Sequence, residues 1–300
     1  MTMQTPPSRT ALAWDAESLR QQLQPLLPGL SVECVACVES TNSTLLQRIR
    51  EGHTAPCLLV SEEQSAGRGR SGRSWHSRPG ASLTFSLALP IHATDWSGLS
   101  LAVGLAVAEA LDPWPEQGST HGNAQIGLKW PNDLMLLSPP KMPHKLGGIL
   151  IESLVTAGQR MAVVGIGLNI AGLAPEPMQP NQSEFTLGRG DLQSILPGID
   201  AVAALTRLAK PLSQALMSFE RTGFAPLLAR YALRDMLSGK PVTTTLAQLP
   251  TGLADGIDPN GALWLRVGEQ RHRVVSGEVS VRVAHLEGQQ MHSVQEAQRC

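Results

Sequence analysis

Residues 64–75, Gln-Ser-Ala-Gly-Arg-Gly-Arg-Ser-Gly-Arg-Ser-Trp, set three glycines and three arginines within the seven positions from Gly67 to Arg73. Glycines let backbone amides close on an anion, and guanidinium groups hold phosphate or carboxylate through paired, charge-assisted hydrogen bonds. Three other segments carry complementary chemistry. Lys129-Trp130-Pro131-Asn132-Asp133 ends a strand with an amide and a carboxylate in a turn, a place to meet a magnesium–phosphate group. Lys145-Leu146-Gly147-Gly148 stands a lysine before two glycines, so a cation that neutralises a phosphoryl group sits where a ligand can approach the backbone. Gly165-Ile166-Gly167-Leu168-Asn169 closes an apolar strand with an amide able to read a purine edge. Each segment alone has a plainer reading, as a basic surface loop, a turn or an exposed lysine. Together, each at a strand end, they supply an anion loop, a metal carboxylate, a cation and an amide. That set points to an enzyme that activates a carboxylate with a nucleotide.

Other chemistries fit less well. Gly67, Gly69 and Gly72 match G-x-G-x-x-G, but a strand follows where a dinucleotide fold needs a helix. A kinase glycine loop does lie between strands, yet no H-R-D or D-F-G segment occurs downstream. G-x-x-x-x-G-K-[ST], H-E-x-x-H and G-x-S-x-G are all missing, and the eight histidines are scattered. Cys34 and Cys37 have C-x-x-C spacing, but on a β-branched strand an odd separation turns the two thiols to opposite faces. Cys57 and Cys300 complete no zinc tetrad, so a structural role is expected for all four.

The elements that must position these segments follow from the apolar pattern. One amphipathic helix is expected over 14–27, ended by Pro25 and Pro28, then a strand at 32–38. Ser40-Thr41-Asn42 are good N-cap residues for a helix carrying Leu45, Leu46 and Ile49, with Gly52 at its end. Strands follow at 57–62 and 81–89; in the second, Leu83, Phe85, Leu87 and Leu89 alternate with Ser82, Thr84, Ser86 and Ala88, which predicts one buried and one polar face. A small-residue helix at 97–111 precedes strands at 125–130 and 134–137, and a hairpin over 147–154 and 161–167 turns at Ala157-Gly158. Helical patterns run over 200–219, where Pro211 is expected to kink or split the helix, and over 224–236. From 241 to 284 short β-type runs surround an Asp258-Pro259-Asn260-Gly261 turn. The expected class is α+β, a mixed-sheet domain over 31–238 with a small separate β-barrel at 239–285, preceded by a short extension (1–30) and followed by a polar tail (286–300).

In its motifs the chain resembles the bacterial biotin protein ligases. The resemblance rests on Ser40-Thr41-Asn42, QSAGRGRSGRSW at 64–75, KWPND at 129–133, KLGGILIE at 145–152 and GIGLN at 165–169, in that order. It runs from about residue 32 to 284, including Gly256-Ile257-Asp258 and Gly277-Glu278-Val279-Ser280-Val281-Arg282. It implies an ATP-dependent ligase that makes an amide bond in two steps: biotin and Mg-ATP give biotinyl-5'-adenylate, and a lysine of a biotin carboxyl carrier protein then takes the biotinyl group. Carried over by motif position, Ser40, Thr41, Asn42 and Gln64 contact biotin, with Gly67 and Gly148 near it, and Arg68, Gly69 and Arg70 wrap the activated carboxyl group. Lys145 and Arg70 are the catalytic residues. Arg70, Trp75, Asn132, Asp133, Lys145 and Asn169 serve the nucleotide, with Asp133 meeting Mg2+ through phosphate. Biotin is a substrate and no tightly bound cofactor is implied. The nearest alternatives are a lipoate ligase, disfavoured by the GRGRSGR loop and terminal barrel, and a non-catalytic biotin-binding regulator, which has no need of Lys145, Asp133 and Arg70. Ser71 stands where repressor-type ligases carry another arginine.

Composition bounds the rest. Over 300 residues, 42% are hydrophobic and 16% charged, against roughly 25% charged in an average globular chain, which excludes disorder and a charged coiled coil. With 24 Lys+Arg against 25 Asp+Glu the net charge is -1, so any anion binding must be local. The chain lacks the global basicity of nucleic-acid binders. The residues ahead of the first strand are too few for a DNA-reading head, which needs about 55 to 65; no direct DNA binding is expected. The longest apolar run, Met161 to Ala174, is shorter than a membrane span, and the first residues lack a secretory signal. A cytoplasmic enzyme with no membrane contact is expected. Pairing of a sheet edge with itself or with the acceptor stays open.

Overall fold

The computed structural model describes residues 12–113, 125–137, 142–172, 188–275 and 281–283. The tail, Gly277 to Ser280 and most of the Pro-rich stretches at 112–124, 138–144 and 171–182 lie outside them. The elements run α1 (Ala16–Leu23), β1 (Ser31–Val38), α2 (Thr41–Arg50), β2 (Cys57–Gln64), β3 (Ser82–Pro90), α3 (Leu99–Leu111), β4 (Ile126–Lys129), β5 (Asp133–Leu136), β6 (His144–Thr156), β7 (Gln159–Asn169), α4 (Ala201–Thr222) and α5 (Leu228–Ala232). Five short strands follow: β8 (Pro241–Thr244), β9 (Thr251–Ile257), β10 (Leu263–Val267), β11 (Gln270–Val274) and β12 (Val281–Val283).

The first seven strands form one mixed sheet ordered β1-β2-β3-β7-β6-β5-β4. β1 and β2 are parallel, joined across α2 as a parallel pair requires, and the other neighbours are antiparallel. One face carries the large core. Leu83, Phe85 and Leu87 of β3 and Val164, Ile166 and Leu168 of β7 pack there under α1, α3 and α4. α3 is apolar on nearly every side because it lies between the sheet and α4. The other face bears a smaller core where Leu45, Leu46 and Ile49 of α2 sit on Cys57, Leu59, Ala88, Met161 and Val163.

Two expectations need correction. The Ser82–Leu89 strand has no solvated face: Ser82, Thr84 and Ser86 are buried as fully as the leucines between them, because α2 and the glycine–arginine loop cover that side. Pro211 does not split its helix either, since α4 runs unbroken over 22 residues. Proline removes one hydrogen bond, the one to the Arg207 carbonyl, but Arg207 faces solvent. Leu205, Leu208, Leu212 and Leu216 meanwhile continue a single buried stripe through the site.

The C-terminal strands make an antiparallel sheet ordered β11-β10-β9-β8-β12. The expected turn joins β9 to β10, with Asp258 Oδ1 accepting from the Asn260 and Ala262 amides. This small β-domain has its own sheet, and its apolar side packs on the larger domain. Val242, Ala254, Leu263, Leu265 and Val274 belong to the large core, as do Leu19, Leu23, Leu27 and Leu30 near the N-terminus. The fully buried Trp130 indole donates to the Gly261 carbonyl at 3.0 Å. Arg234, buried at 4% exposure, donates to the Asp112 carboxylate and the Ile126 carbonyl, each at 2.9 Å. It thereby fixes the start of β4, the strand that delivers Lys129 and pairs it with Asp133 of β5. Among the described residues no helix is long and apolar enough to cross a membrane.

Candidate active site

On the face that α2 half covers, the sheet is paved with small residues. The register aligns Thr84 of β3 with Gly167 of β7 and Gly148 of β6; the next row on this face is Ser86, Gly165 and Leu150. A Cβ at Gly165 would strike the Asn42 side chain, and one at Gly167 would strike the Trp75 ring. These glycines are needed because other groups lie directly on the strand backbone. The result is a cleft floored by strand backbone and walled by α2, the glycine–arginine loop and the β4–β5 turn.

Of the residues singled out from sequence, Ser40, Thr41, Asn42, Gln64, Arg68, Gly69, Arg70, Trp75, Asn132, Asp133, Lys145 and Gly148 all line this cleft. At one end is the first turn of α2. Ser40 caps it, its hydroxyl accepting from the Ser43 amide. Gln64 Oε1 accepts from the Thr41 amide at 2.7 Å and its hydroxyl at 3.1 Å. Ser86 Oγ lies 2.6 Å from both Thr41 Oγ1 and Asn42 Oδ1. Asn42 Nδ2 donates to Glu152 at 2.9 Å and to the Leu150 carbonyl at 3.2 Å. This end is thus a rigid, neutral hydrogen-bonding surface, suited to a polar uncharged ring.

The other end is charged. Lys129 and Asp133 are paired residues of the β4–β5 hairpin. Asp133 Oδ1 accepts from Lys145 Nζ at 2.6 Å and Oδ2 from Lys129 Nζ at 3.3 Å. Burial pushes the Asp133 carboxyl pKa up, but the two lysines together outweigh it and hold the value below the ordinary one. Burial lowers the Lys129 pKa despite the attraction of Asp133. Asn132 Nδ2 donates to the Ile149 carbonyl at 2.9 Å, tying the turn to β6.

The glycine–arginine loop arches between the two ends as a small folded unit. Trp75 N donates to Gly67 O at 2.8 Å and Gly69 N to Arg73 O at 2.7 Å, closing the loop at its base and middle. Its tip is a 3-10 turn over Arg70–Gly72 in which Ser71 has φ 54°. Arg70, its pKa lowered mainly by burial, and Arg73 join Lys129 and Lys145 on the cleft wall. Four cations thus surround one aspartate, an excess that suits a polyphosphate.

Two expected residues do not line the cleft. Gly67 sits at the loop base, where a Cβ would collide with the Trp75 carbonyl. Asn169 is buried, and its Nδ2 donates to the carbonyls of Lys145 and Gly190, both at 3.0 Å; the amide fastens the 188–190 segment beside β6. Sequence reasoning in turn named Lys129 and Arg73 only as members of their segments, without a role of their own, and gave Ser86 and Glu152 no place in the site. For Lys129 a signal existed: a lysine four residues before an aspartate across a two-strand turn lands opposite it.

Among the described residues no cluster of three His, Cys, Asp or Glu side chains could cage a metal, and Cys34, Cys37 and Cys57 are free thiols. Burial, reinforced by Glu62, pushes the Cys34 thiol up to about 11, far from the thiolate a metal needs. Asp133 with the neighbouring Asn132 suits a magnesium ion that arrives on a triphosphate and keeps most of its ligands as phosphate and water.

Comparison with known proteins bears on the same residues. Positions 34–169 match the model of the biotin/lipoate A/B protein ligase family, and 237–282 match the biotin protein ligase C-terminal domain. The bifunctional ligase/repressor BirA of Escherichia coli is 33% identical over 88% of this chain and 78% of its own length. A biotin–[acetyl-CoA-carboxylase] ligase of Mycobacterium tuberculosis is 34% identical over 88% of this chain and 94% of its own. The solved biotin protein ligase of Aquifex aeolicus, in complex with biotin and ATP, superposes with a TM-score of 0.64 at 26% identity, covering 84% of this chain and 99% of that one. The glycine-paved cleft and its glycine–arginine loop therefore belong to a member of the biotin protein ligase family.

Proposed function

We propose that this protein activates biotin with ATP and transfers the biotinyl group to one lysine of a biotin carboxyl carrier protein. The observation that carries the reading is the polarity of the cleft: a neutral hydrogen-bonding end at α2, a cationic end at Lys129 and Lys145, and an arginine loop spanning both. A biotin ring at the first end directs its carboxylate toward the second. In the first step a carboxylate oxygen attacks the α-phosphorus of ATP and pyrophosphate leaves. Both reactants are anions, so the main barrier is their repulsion. Lys145 and Arg70 lower it by facing the charge that accumulates between them. Asp133 holds Lys145 in place and shares with Asn132 the side where magnesium enters with the nucleotide.

In the second step the acceptor lysine amine attacks the carbonyl carbon of the mixed anhydride. The amide forms, AMP leaves with the bonding pair and the amine gives up a proton to solvent. An acyl-adenylate exposed to water hydrolyses, so the loop over the cleft protects it between the steps. ATP and carrier proteins meet in the cytoplasm, where we place the reaction. The reading is tested by biotin-dependent exchange of labelled pyrophosphate into ATP. Exchange that needs biotin and magnesium supports it, and exchange with lipoate instead assigns the cleft to the other branch of the family. Arg70→Gly is expected to release free adenylate about tenfold faster, the cost of one lost charged contact, and to label lysines of bystander proteins; unchanged leakage removes that role.

A further inference from the structure

We infer that Glu152 is a positioning residue that locks the biotin-reading turn of α2 to the first arginine of the covering loop. The inference rests on the reading that biotin lies at the α2 end of the cleft.

Glu152 lies on β6, seven residues past Lys145 and beyond the reacting end of the cleft. Its Oε2 accepts from Asn42 Nδ2 at 2.9 Å and its Oε1 from Arg68 Nη2 at 3.0 Å. Arg68 Nη1 donates to Ser43 Oγ at 3.1 Å, so the guanidinium spans the carboxylate and α2 together. Asn42 is buried, and the remainder of its amide is engaged by Ser86 and the Leu150 carbonyl. Glu152 and the Leu150 carbonyl together fix which way the Asn42 amide points: both accept only, so Nδ2 must face them and Oδ1 must face Ser86. The same carboxylate holds Arg68 at the entrance to the loop. The side chain is 22% exposed, while that of Arg68 is 49% exposed, so the Arg68 side opens readily whereas the Asn42 side is fixed. A carboxylate shared by a binding turn and a loop hinge makes ordering of one favour ordering of the other. Biotin at α2 thereby helps hold the loop shut.

Glu152→Gln tests this, because it keeps shape but must point an NH2 group at either Asn42 or Arg68. The expected result is a rise of about tenfold in biotin KM and in the escape rate of biotinyl-adenylate, the range for a lost charged hydrogen bond. The rate of transfer from pre-formed adenylate to the carrier is expected to stay within about twofold. Arg68→Met, at a half-exposed position that the fold does not depend on, is expected to speed escape similarly, and the double variant to add little to either. Thr41→Val is the control for the underlying reading. If it leaves biotin KM unchanged, biotin is not at α2. If it raises KM while Arg68→Met leaves escape unchanged, the coupling is refuted, whether or not Glu152→Gln folds. Equal loss in both half-reactions of Glu152→Gln, with a lowered Tm, likewise overturns it in favour of a purely structural glutamate.

Discussion

The same face of the same three strands is core in one half and active site in the other. Under α2, β3 and β7 present Ala88, Met161 and Val163 to Leu45, Leu46 and Ile49. Two residues along, the strands present Ser86 and Gly165, which meet the first turn of α2 at Thr41 and Asn42, then Thr84 and Gly167, the latter under Trp75 of the glycine–arginine loop. The β3-β7-β6 pairing register runs unbroken through both halves. What differs is side-chain volume, which decides whether a helix can close on the sheet or a ligand must. Where α2 ends, its first turn becomes a wall of the cleft, so one helix serves as lid for the core and as reading edge for the site.

Four substitutions probe the difference between the two halves. Lys145→Ala acts on the open half alone. It is expected to slow adenylate formation about 10³-fold, as loss of a group facing developing charge does, with Tm little changed; normal pyrophosphate exchange would remove lysine from its role. Leu45→Ala acts on the covered half and is expected to cost about 3 kcal/mol of unfolding free energy in denaturant titration, with kcat/KM within about twofold where the protein is folded. Gly165→Ala puts core-like volume into the open half by pushing on Asn42. An overpacking penalty of about 1–3 kcal/mol is expected to appear mostly as a raised biotin KM rather than as unfolding.

The smallest effect concerns pH. The folded Asp133 carboxyl is held below its ordinary value by Lys145 and Lys129 in spite of burial. It therefore contributes stability that is present above about pH 4, the unfolded carboxylate value, and is lost as pH falls through the folded one. Asp133→Asn should flatten the acid limb of a Tm-against-pH curve below about pH 4. An unchanged limb would mean that the pair is not formed in solution.

The charged end of the cleft was legible in the sequence because an arginine loop, an aspartate turn and a lysine before glycines, each ordinary alone, recur together at strand ends. So were most strands, whose alternation is a local property. The neutral end was legible only through the Ser40-Thr41-Asn42 motif, and Ser86 and Glu152 were not, because their importance depends on which strand lies beside which. Gly165 and Gly167 looked like a turn; only the β3-β7-β6 register reveals them as cleared floor. Asn169 was read as a strand-end amide, and its further bond across the chain was not visible, because Gly190, which accepts from it, lies 21 residues on. The alternating β3 face misled for the same reason: burial by α2 and by a loop 10 residues upstream is not a property of the strand.

Whether one cleft both activates biotin and delivers it is read from the intact mass of an apo carrier domain incubated with the protein, ATP and magnesium. Biotin is expected to shift the acceptor by one biotinyl group on one lysine, lipoate to give no shift, and Lys145→Ala to abolish it. An unmodified acceptor despite tight biotin binding, or a lipoate-dependent shift, would contradict the biotin ligase reading.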